Sequence, residues 1–176
     1  MKTNIALIGF MGTGKTAVGQ ALAKKLHRKF LETDSLIEKK AGKPIPEIFQ
    51  QDGEIAFREL EIEVTKEIAE GKNSVIACGG GIVLNKINID RLKDGAIIAY
   101  LTASPRIILK RVSAQVGQRP LLEVENPILA IRELLKFRKP FYEQAVDIRI
   151  DTTKLDIDAV IEQIIDRLKE DESFHF

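Results

Sequence analysis

Lys15 and Thr16 follow directly on Gly9-Phe10-Met11-Gly12-Thr13-Gly14, so that two glycines spaced by four residues lead into Lys-Thr. This is the phosphate-loop pattern, and its chemistry is specific. Glycines let backbone N–H groups turn inward around a phosphate without Cβ clashes. Lys15 is placed to reach β/γ-phosphate oxygens and the Thr16 hydroxyl to take a position on Mg²⁺. Gly12, Thr13, Gly14, Lys15, Thr16 and Ala17 are the expected nucleotide contacts. The helix that follows aims its positive end at the same phosphates.

Three further sets of residues carry chemistry. Glu32 and Asp34 stand two apart at the end of a predicted strand, where open α/β sheets bind ligands. Asp34 has an ordinary alternative as a helix cap, although Ser35 can fill that place. Arg58 has Glu54 four residues before and Glu61 three after, which also reads as a surface ion pair. Gly79-Gly80-Gly81 follows a third strand, either as backbone brought close to a ligand or as a plain tight turn. No Asp ends that strand, so metal support must come from elsewhere, and the Glu32/Asp34 pair is nearest.

The elements that must position these residues can be read in order. Ile5-Ala6-Leu7-Ile8 is an unbroken apolar run, as a strand buried on both faces requires. Val18, Leu22 and Leu26 recur every four residues as a helix. Lys29-Phe30-Leu31-Glu32 is the second strand, and Ser35 with Glu38 predicts a capping box opening the next helix. After the break at Gly42-Lys43-Pro44 a helical stretch is expected from about 46 to 70. Val75-Ile76-Ala77-Cys78 and Ala96–Leu101 are the third and fourth strands. A helix from about Pro105 carries Arg111, and the polar, broken Val116–Leu122 segment is expected to be a mobile lid.

Asn126-Pro127 predicts a helix restart with a cap and Pro in the first turn. That helix carries Arg132, a solvated charge, and Arg138, and meets Pro140. Val146-Asp147-Ile148-Arg149-Ile150 alternates like an edge strand. Ile157, Val160, Ile161, Ile164, Ile165 and Leu168 form an amphipathic closing helix, with 170–176 expected as a loose tail. Five strand–helix alternations argue for a parallel sheet covered on both faces.

Composition bounds the rest. At 176 residues and 44 % hydrophobic the chain builds one core, and no repeat or linker divides it. Lys+Arg 27 against Asp+Glu 26 gives no electrostatic case for nucleic acid or an anionic membrane. Cys78 as the single cysteine excludes an internal disulfide. No apolar run approaches the roughly 20 residues of a membrane span. With a strand starting after four residues there is no room for a signal peptide, and the expectation is a cytoplasmic protein. GTPases usually carry a guanine-reading Asn-Lys-x-Asp, which is missing, so an arginine-bearing lid on a small chain points to a metabolite kinase that shuts out water.

The phosphate loop, Thr33-Asp34, Gly53-Glu54-Ile55-Ala56-Phe57-Arg58-Glu59-Leu60-Glu61, Gly79-Gly80-Gly81, Arg119-Pro120-Leu121-Leu122, and Arg138 with Tyr142 together resemble the shikimate kinase family. The resemblance covers roughly 4–151. It implies a P-loop NTPase α/β fold of the nucleoside-monophosphate-kinase type: a three-layer sandwich around five parallel strands in the order 2-3-1-4-5. It further implies a single domain over 1–176, with a substrate-binding insert at about 33–61 and a lid at about 112–124. The implied reaction is transfer of the ATP γ-phosphate, with Mg²⁺, to the 3-hydroxyl of shikimate in aromatic amino-acid biosynthesis, by a monomer. By similarity, Arg58 and Arg138 hold the shikimate carboxylate, and Asp34 accepts the hydroxyl proton. Gly80 and Gly81 offer N–H groups, while Phe49 and Phe57 wall the pocket. Arg119 neutralises γ-phosphate charge and Arg111 packs on adenine. The family usually has Asp where Glu32 stands, a carboxylate that assists Mg²⁺ through water. A gluconate kinase is the nearest enzymatic alternative. A non-catalytic nucleotide-binding relative is the alternative from another class, disfavoured by intact Lys15, Thr16, Asp34, Arg58, Arg119 and Arg138.

Overall fold

Five strands lie parallel in the order β2-β3-β1-β4-β5. They are β1 (Asn4–Ile8), β2 (Lys29–Glu32), β3 (Ser74–Ala77), β4 (Ala96–Thr102) and β5 (Ile148–Asp151). The computed structural model describes residues 1–114 and 124–176. Arg119 and most of the expected lid therefore lie outside the described residues.

Strand pleating explains the two cores. Ile5, Leu7, Val75, Ile97, Ala99, Leu101, Ile148 and Ile150 point to one face. There they meet Val18 and Leu22 of α1 (Lys15–Lys25) and Val160, Ile161, Ile164, Ile165 and Leu168 of α8 (Ile157–Glu170). Ala6, Ile8, Ile76, Ile98 and Tyr100 point to the other face. That face is covered by α2 (Thr33–Ala41), α3 (Ile45–Gln51), α4 (Gly53–Ala69), α5 (Lys86–Gly95) and α7 (Pro127–Ala145). The central strand β1 is buried along its whole length, as its apolar sequence requires. A third cluster joins Phe10 to Ile108 and Val112 of α6 (Pro105–Ser113) and to Ile131 of α7. Because β1 lies between β3 and β4, its C-terminal end is the point where strand order reverses, and the phosphate loop leaves from there.

Several expectations are corrected. The helix after β2 begins at Thr33, not Ser35, and there is no capping box. The Ser35 hydroxyl donates to Glu32 Oε2 at 2.9 Å, and Glu38 Oε1 accepts from the Ile45 N–H at 2.9 Å, which ties α2 to α3. Asp34 accordingly stands in the first turn of α2, where a negative charge suits the helix dipole, and it is not the cap. The helical stretch after Pro44 is two helices. Gly53 adopts φ +85°, a left-handed conformation that only glycine takes without strain, and the chain turns there. The helix α7 runs through Pro140 to Ala145, with Lys136 and Pro140 on its exposed side, where water can take the carbonyl that proline leaves unbonded.

The C-terminal tail is docked. Phe174 is 6 % exposed within the α1/α8 core, and Arg28 lies 4.9 Å above its ring. Lys2 N–H donates to the Ser173 carbonyl at 3.0 Å, and His175 N–H to the Lys2 carbonyl at 2.9 Å. No local pattern announces a pairing between the two ends of the chain.

Candidate active site

The phosphate loop bends through Gly9, Gly12 and Gly14, with φ of 147°, 74° and 98°. A side chain at any of the three would be strained. The Lys15 ammonium donates to the carbonyls of Gly9 at 2.8 Å and Phe10 at 3.0 Å, so it lies over the loop it serves. Thr13 is buried, its hydroxyl on the Phe10 carbonyl at 2.8 Å, while Thr16 and Ala17 start α1 exposed. Arg111 reaches back from α6: Nη1 donates to the Gly12 carbonyl at 3.1 Å and Nη2 to the Thr152 carbonyl at 2.9 Å. The Thr152 hydroxyl accepts from Arg111 Nη1 and lies 3.0 Å from the Thr13 and Thr102 carbonyls. Arg111 thus ties the loop to the segment after β5.

The three glycines behind β3 carry the acceptor side of the site. None has positive φ, so they are not there for backbone freedom. They are there for space. A Cβ on Gly79 would stand 2.6 Å from Asp34 Oδ1, and one on Gly81 would stand 2.9 Å from both Arg58 Nη1 and Nη2. One on Gly80 would meet Arg138 Nη1 at 3.5 Å. Each glycine faces one of the three charged side chains expected to handle the acceptor. The triplet does make a tight turn, with the Ile82 N–H donating to the Gly79 carbonyl at 3.1 Å, and the close approach it allows is to these three side chains. Thr33, fully buried, accepts the Gly79 N–H at 2.8 Å, and the Tyr142 hydroxyl donates to the Gly80 carbonyl at 2.6 Å.

Arg58 does form the ion pair read from the helix, but not on the surface. Nη1 meets Glu61 Oε1 at 3.0 Å and Nη2 meets Glu54 at 3.4 Å. Glu61 is 1 % exposed, whereas Glu54 is largely open to solvent. Burial pushes the Glu61 carboxyl up, and Arg58 opposes that shift. Asn88, wholly buried on α5, donates to Glu61 from 3.5 Å. Arg138 lies with its guanidinium 5.5 Å above the Phe10 ring, and its buried Nε–H has no acceptor among the described residues. Phe49 and Phe57 pack 4.7 Å apart beside Arg58, with Phe49 still 41 % exposed. Arg132 is exposed, as expected.

Charges from both halves of the site converge at the end of β3. The buried Cys78 thiol is pushed up to about 12 by desolvation, against Lys15 and with Glu61 and Asp34. It remains a neutral filler. Tyr142, also pushed up to about 12 by burial, keeps its proton for Gly80.

Glu32 spends Oε1 on the Thr16 hydroxyl at 2.5 Å. Among the described residues no group of three or more His, Cys, Asp or Glu is placed to hold a metal. A hydroxyl–carboxylate pair suits Mg²⁺ on a nucleotide, because phosphates and waters supply most of its ligands.

Sequence reasoning gave no role in the site to Glu61, Thr33, Tyr142, Thr152 or Ser35. For Glu61 a signal existed. The buried stripe of α4 is Phe57, Glu61, Val64, Thr65 and Ile68, and a carboxylate interrupting such a stripe asks for a partner.

Comparison with known proteins places the whole chain. A sequence profile described as "Shikimate kinase" matches residues 11–169. A shikimate kinase of Thermodesulfovibrio yellowstonii is 51 % identical over 162 residues, covering 92 % of each chain. One of Caldanaerobacter subterraneus subsp. tengcongensis is 48 % identical, covering 92 % of this chain and 94 % of that one. The solved shikimate kinase of Acinetobacter baumannii, in complex with shikimate, superposes with a TM-score of 0.90 at 38 % identity, covering 98 % of this chain and 96 % of that one. Matched along most of its length to these proteins, this chain is a member of the shikimate kinase family.

Proposed function

We propose that this chain transfers the γ-phosphate of ATP to the 3-hydroxyl of shikimate, with its residues dividing the work as follows. The observation that carries the division is the packing of Asp34, Arg138 and Arg58 against Gly79, Gly80 and Gly81, next to the phosphate loop. The acceptor carboxylate is held by Arg58 and Arg138, whose planar forks suit two-point binding of a carboxylate. The unsatisfied Arg138 Nε–H supports this, since a buried donor without an acceptor is costly unless a ligand supplies one. Gly80 and Gly81 present N–H groups, and Phe49 and Phe57 wall the ring.

Lys15 and the N–H groups of residues 12–17 take the phosphates. Thr16 and Glu32 hold Mg²⁺, which supplies positive charge against the transferring phosphoryl group. Asp34 takes the proton from the acceptor hydroxyl as its oxygen bonds the γ-phosphorus and the bond to the β–γ bridging oxygen breaks, releasing ADP. Arg111 packs on the adenine ring of ATP. Arg119, outside the described residues, is assigned to the charge on the γ-phosphoryl group.

An acceptor panel with ATP and Mg²⁺, read as ADP release, tests this. Turnover with shikimate and none above background with gluconate is expected. Equal rates on both would overturn the acceptor assignment.

A further inference from the structure

Glu32 occupies the N-cap position of α2, yet its carboxylate caps nothing: no side-chain bond reaches a backbone N–H of that turn. Both oxygens go to side-chain hydroxyls. Oε1 accepts from Thr16 at 2.5 Å and Oε2 from Ser35 at 2.9 Å. One carboxylate thereby links the first turn of α1 to the first turn of α2. It does so across the sheet, because β3 stands between the strands β2 and β1 that lead into those helices.

A glutamate stem suits that span, being one bond of about 1.5 Å longer than an aspartate stem. Its extra rotatable bond also gives it more ways to miss. The second hydroxyl removes that freedom. A hydroxyl has one proton and two lone pairs. With its proton directed to Glu32, Thr16 turns its lone pairs elsewhere, which is the orientation a cation on the phosphates requires.

We propose that Ser35 is a positioning residue for the metal–nucleotide site: by donating to Glu32 Oε2 it holds Oε1 on the Thr16 hydroxyl and so aims Thr16 at the cation. This rests on the assignment of Thr16 and Glu32 to Mg²⁺. Ser35 itself touches neither metal nor nucleotide. The capping box expected from Ser35 and Glu38 does not form, which leaves the serine hydroxyl for this bond.

The test uses the full chain with Mn²⁺ and ADP as probes, reading Mn²⁺ binding by electron paramagnetic resonance. Steady-state kinetics and melting temperature accompany it. Ser35→Ala is expected to weaken Mn²⁺ binding to the ADP complex by roughly 3- to 10-fold, below the usual effect of losing an outer-shell partner because the bond is exposed. The Mg²⁺ needed for half-maximal rate rises in parallel, while shikimate KM stays within about twofold. Ser35→Thr, which keeps a hydroxyl, restores binding. On a Glu32→Asp background Ser35→Ala has no further effect, because the shorter stem leaves the serine behind.

Wild-type Mn²⁺ binding by Ser35→Ala overturns the proposal. So does an undiminished Ser35→Ala effect on the Glu32→Asp background, since the serine then acts on the helix and not through the carboxylate. Glu32→Ala separates the two levels. If it too binds Mn²⁺ normally, the underlying metal assignment falls; if it binds weakly while Ser35→Ala is normal, only the role of Ser35 falls.

Discussion

Arg58 has two partners of different kinds, the buried Glu61 carboxylate and the proposed carboxylate of the acceptor, and mutation can separate them. At 3.0 Å and an effective dielectric of about 20, the Arg58–Glu61 attraction is roughly 5–6 kcal/mol gross. Desolvating both ions offsets much of it, but removing one partner leaves the other buried and uncompensated, at about 3–5 kcal/mol. Two features of this site lower that figure. Arg58 keeps 24 % of its side chain exposed. Glu61, already pushed up by burial, can take a proton when the guanidinium goes. Arg58→Ala is therefore expected to lose about 2–4 kcal/mol of folding stability at pH 8, and less at pH 6, where protonating Glu61 costs about 1.4 kcal/mol less per unit. Separately, kcat/KM for shikimate should fall by about 2–5 kcal/mol, with ATP binding little changed.

The double variant Arg58→Ala/Glu61→Gln distinguishes the two effects. It removes the buried charge, so most of the stability returns in urea unfolding, while kcat/KM remains low. If kcat/KM recovered with stability, Arg58 would be an internal ion pair and nothing more. If Arg58→Ala alone left shikimate kinetics at the wild-type level, the acceptor assignment would be refuted outright.

Asp34→Asn keeps the shape but cannot take a proton, so kcat should drop roughly 10²–10⁴-fold with melting temperature unchanged, checked by stopped assays beside thermal unfolding. Alanine at Gly79 or Gly81 should raise shikimate KM more than alanine at Gly80, following the 2.6, 2.9 and 3.5 Å contacts; equal effects at all three would contradict the packing argument. Phe174→Ala should cost about 2–4 kcal/mol in denaturant unfolding, and a loss near zero would mean that the tail frays in solution. Glu61→Gln should become more stable relative to wild type as pH rises above the ordinary carboxyl range. Burial raises the folded-state pKa of Glu61, so the native protein loses stability as pH climbs through it, and the glutamine does not. A difference that shrinks with rising pH would reverse the sign and the reasoning.

What the sequence made legible was what neighbouring residues decide. The apolar run of β1, the loop glycines, the cap at Asn126, and the alternation of Ile148 and Ile150 with Arg149 all follow from local spacing. Where reasoning went astray, a distant partner had outbid a near one. Ser35 and Glu38 have capping-box spacing, but Glu38 goes to Ile45 and Ser35 to Glu32, because Glu32 itself is drawn to Thr16. The polar 170–176 segment reads as a tail until Lys2 and Arg28 are beside it. Asp34 reads as a strand end because the helix after it starts two residues sooner than its own capping signal.

The same logic explains why this site keeps no carboxylate at the end of β3. With order β2-β3-β1, that end is the point on which α2, α4 and α7 converge, bringing Asp34, Arg58 and Arg138. Any side chain at 79 or 81 would occupy the space those charges need. A charged group at Cys78 would sit fully buried, where even a thiol is pushed to about 12. The strand end must then be bare and neutral, and under the proposed function the magnesium-side carboxylate comes from the next strand outward. Glu32 ends that strand, and its stem reaches the Thr16 hydroxyl at 2.5 Å.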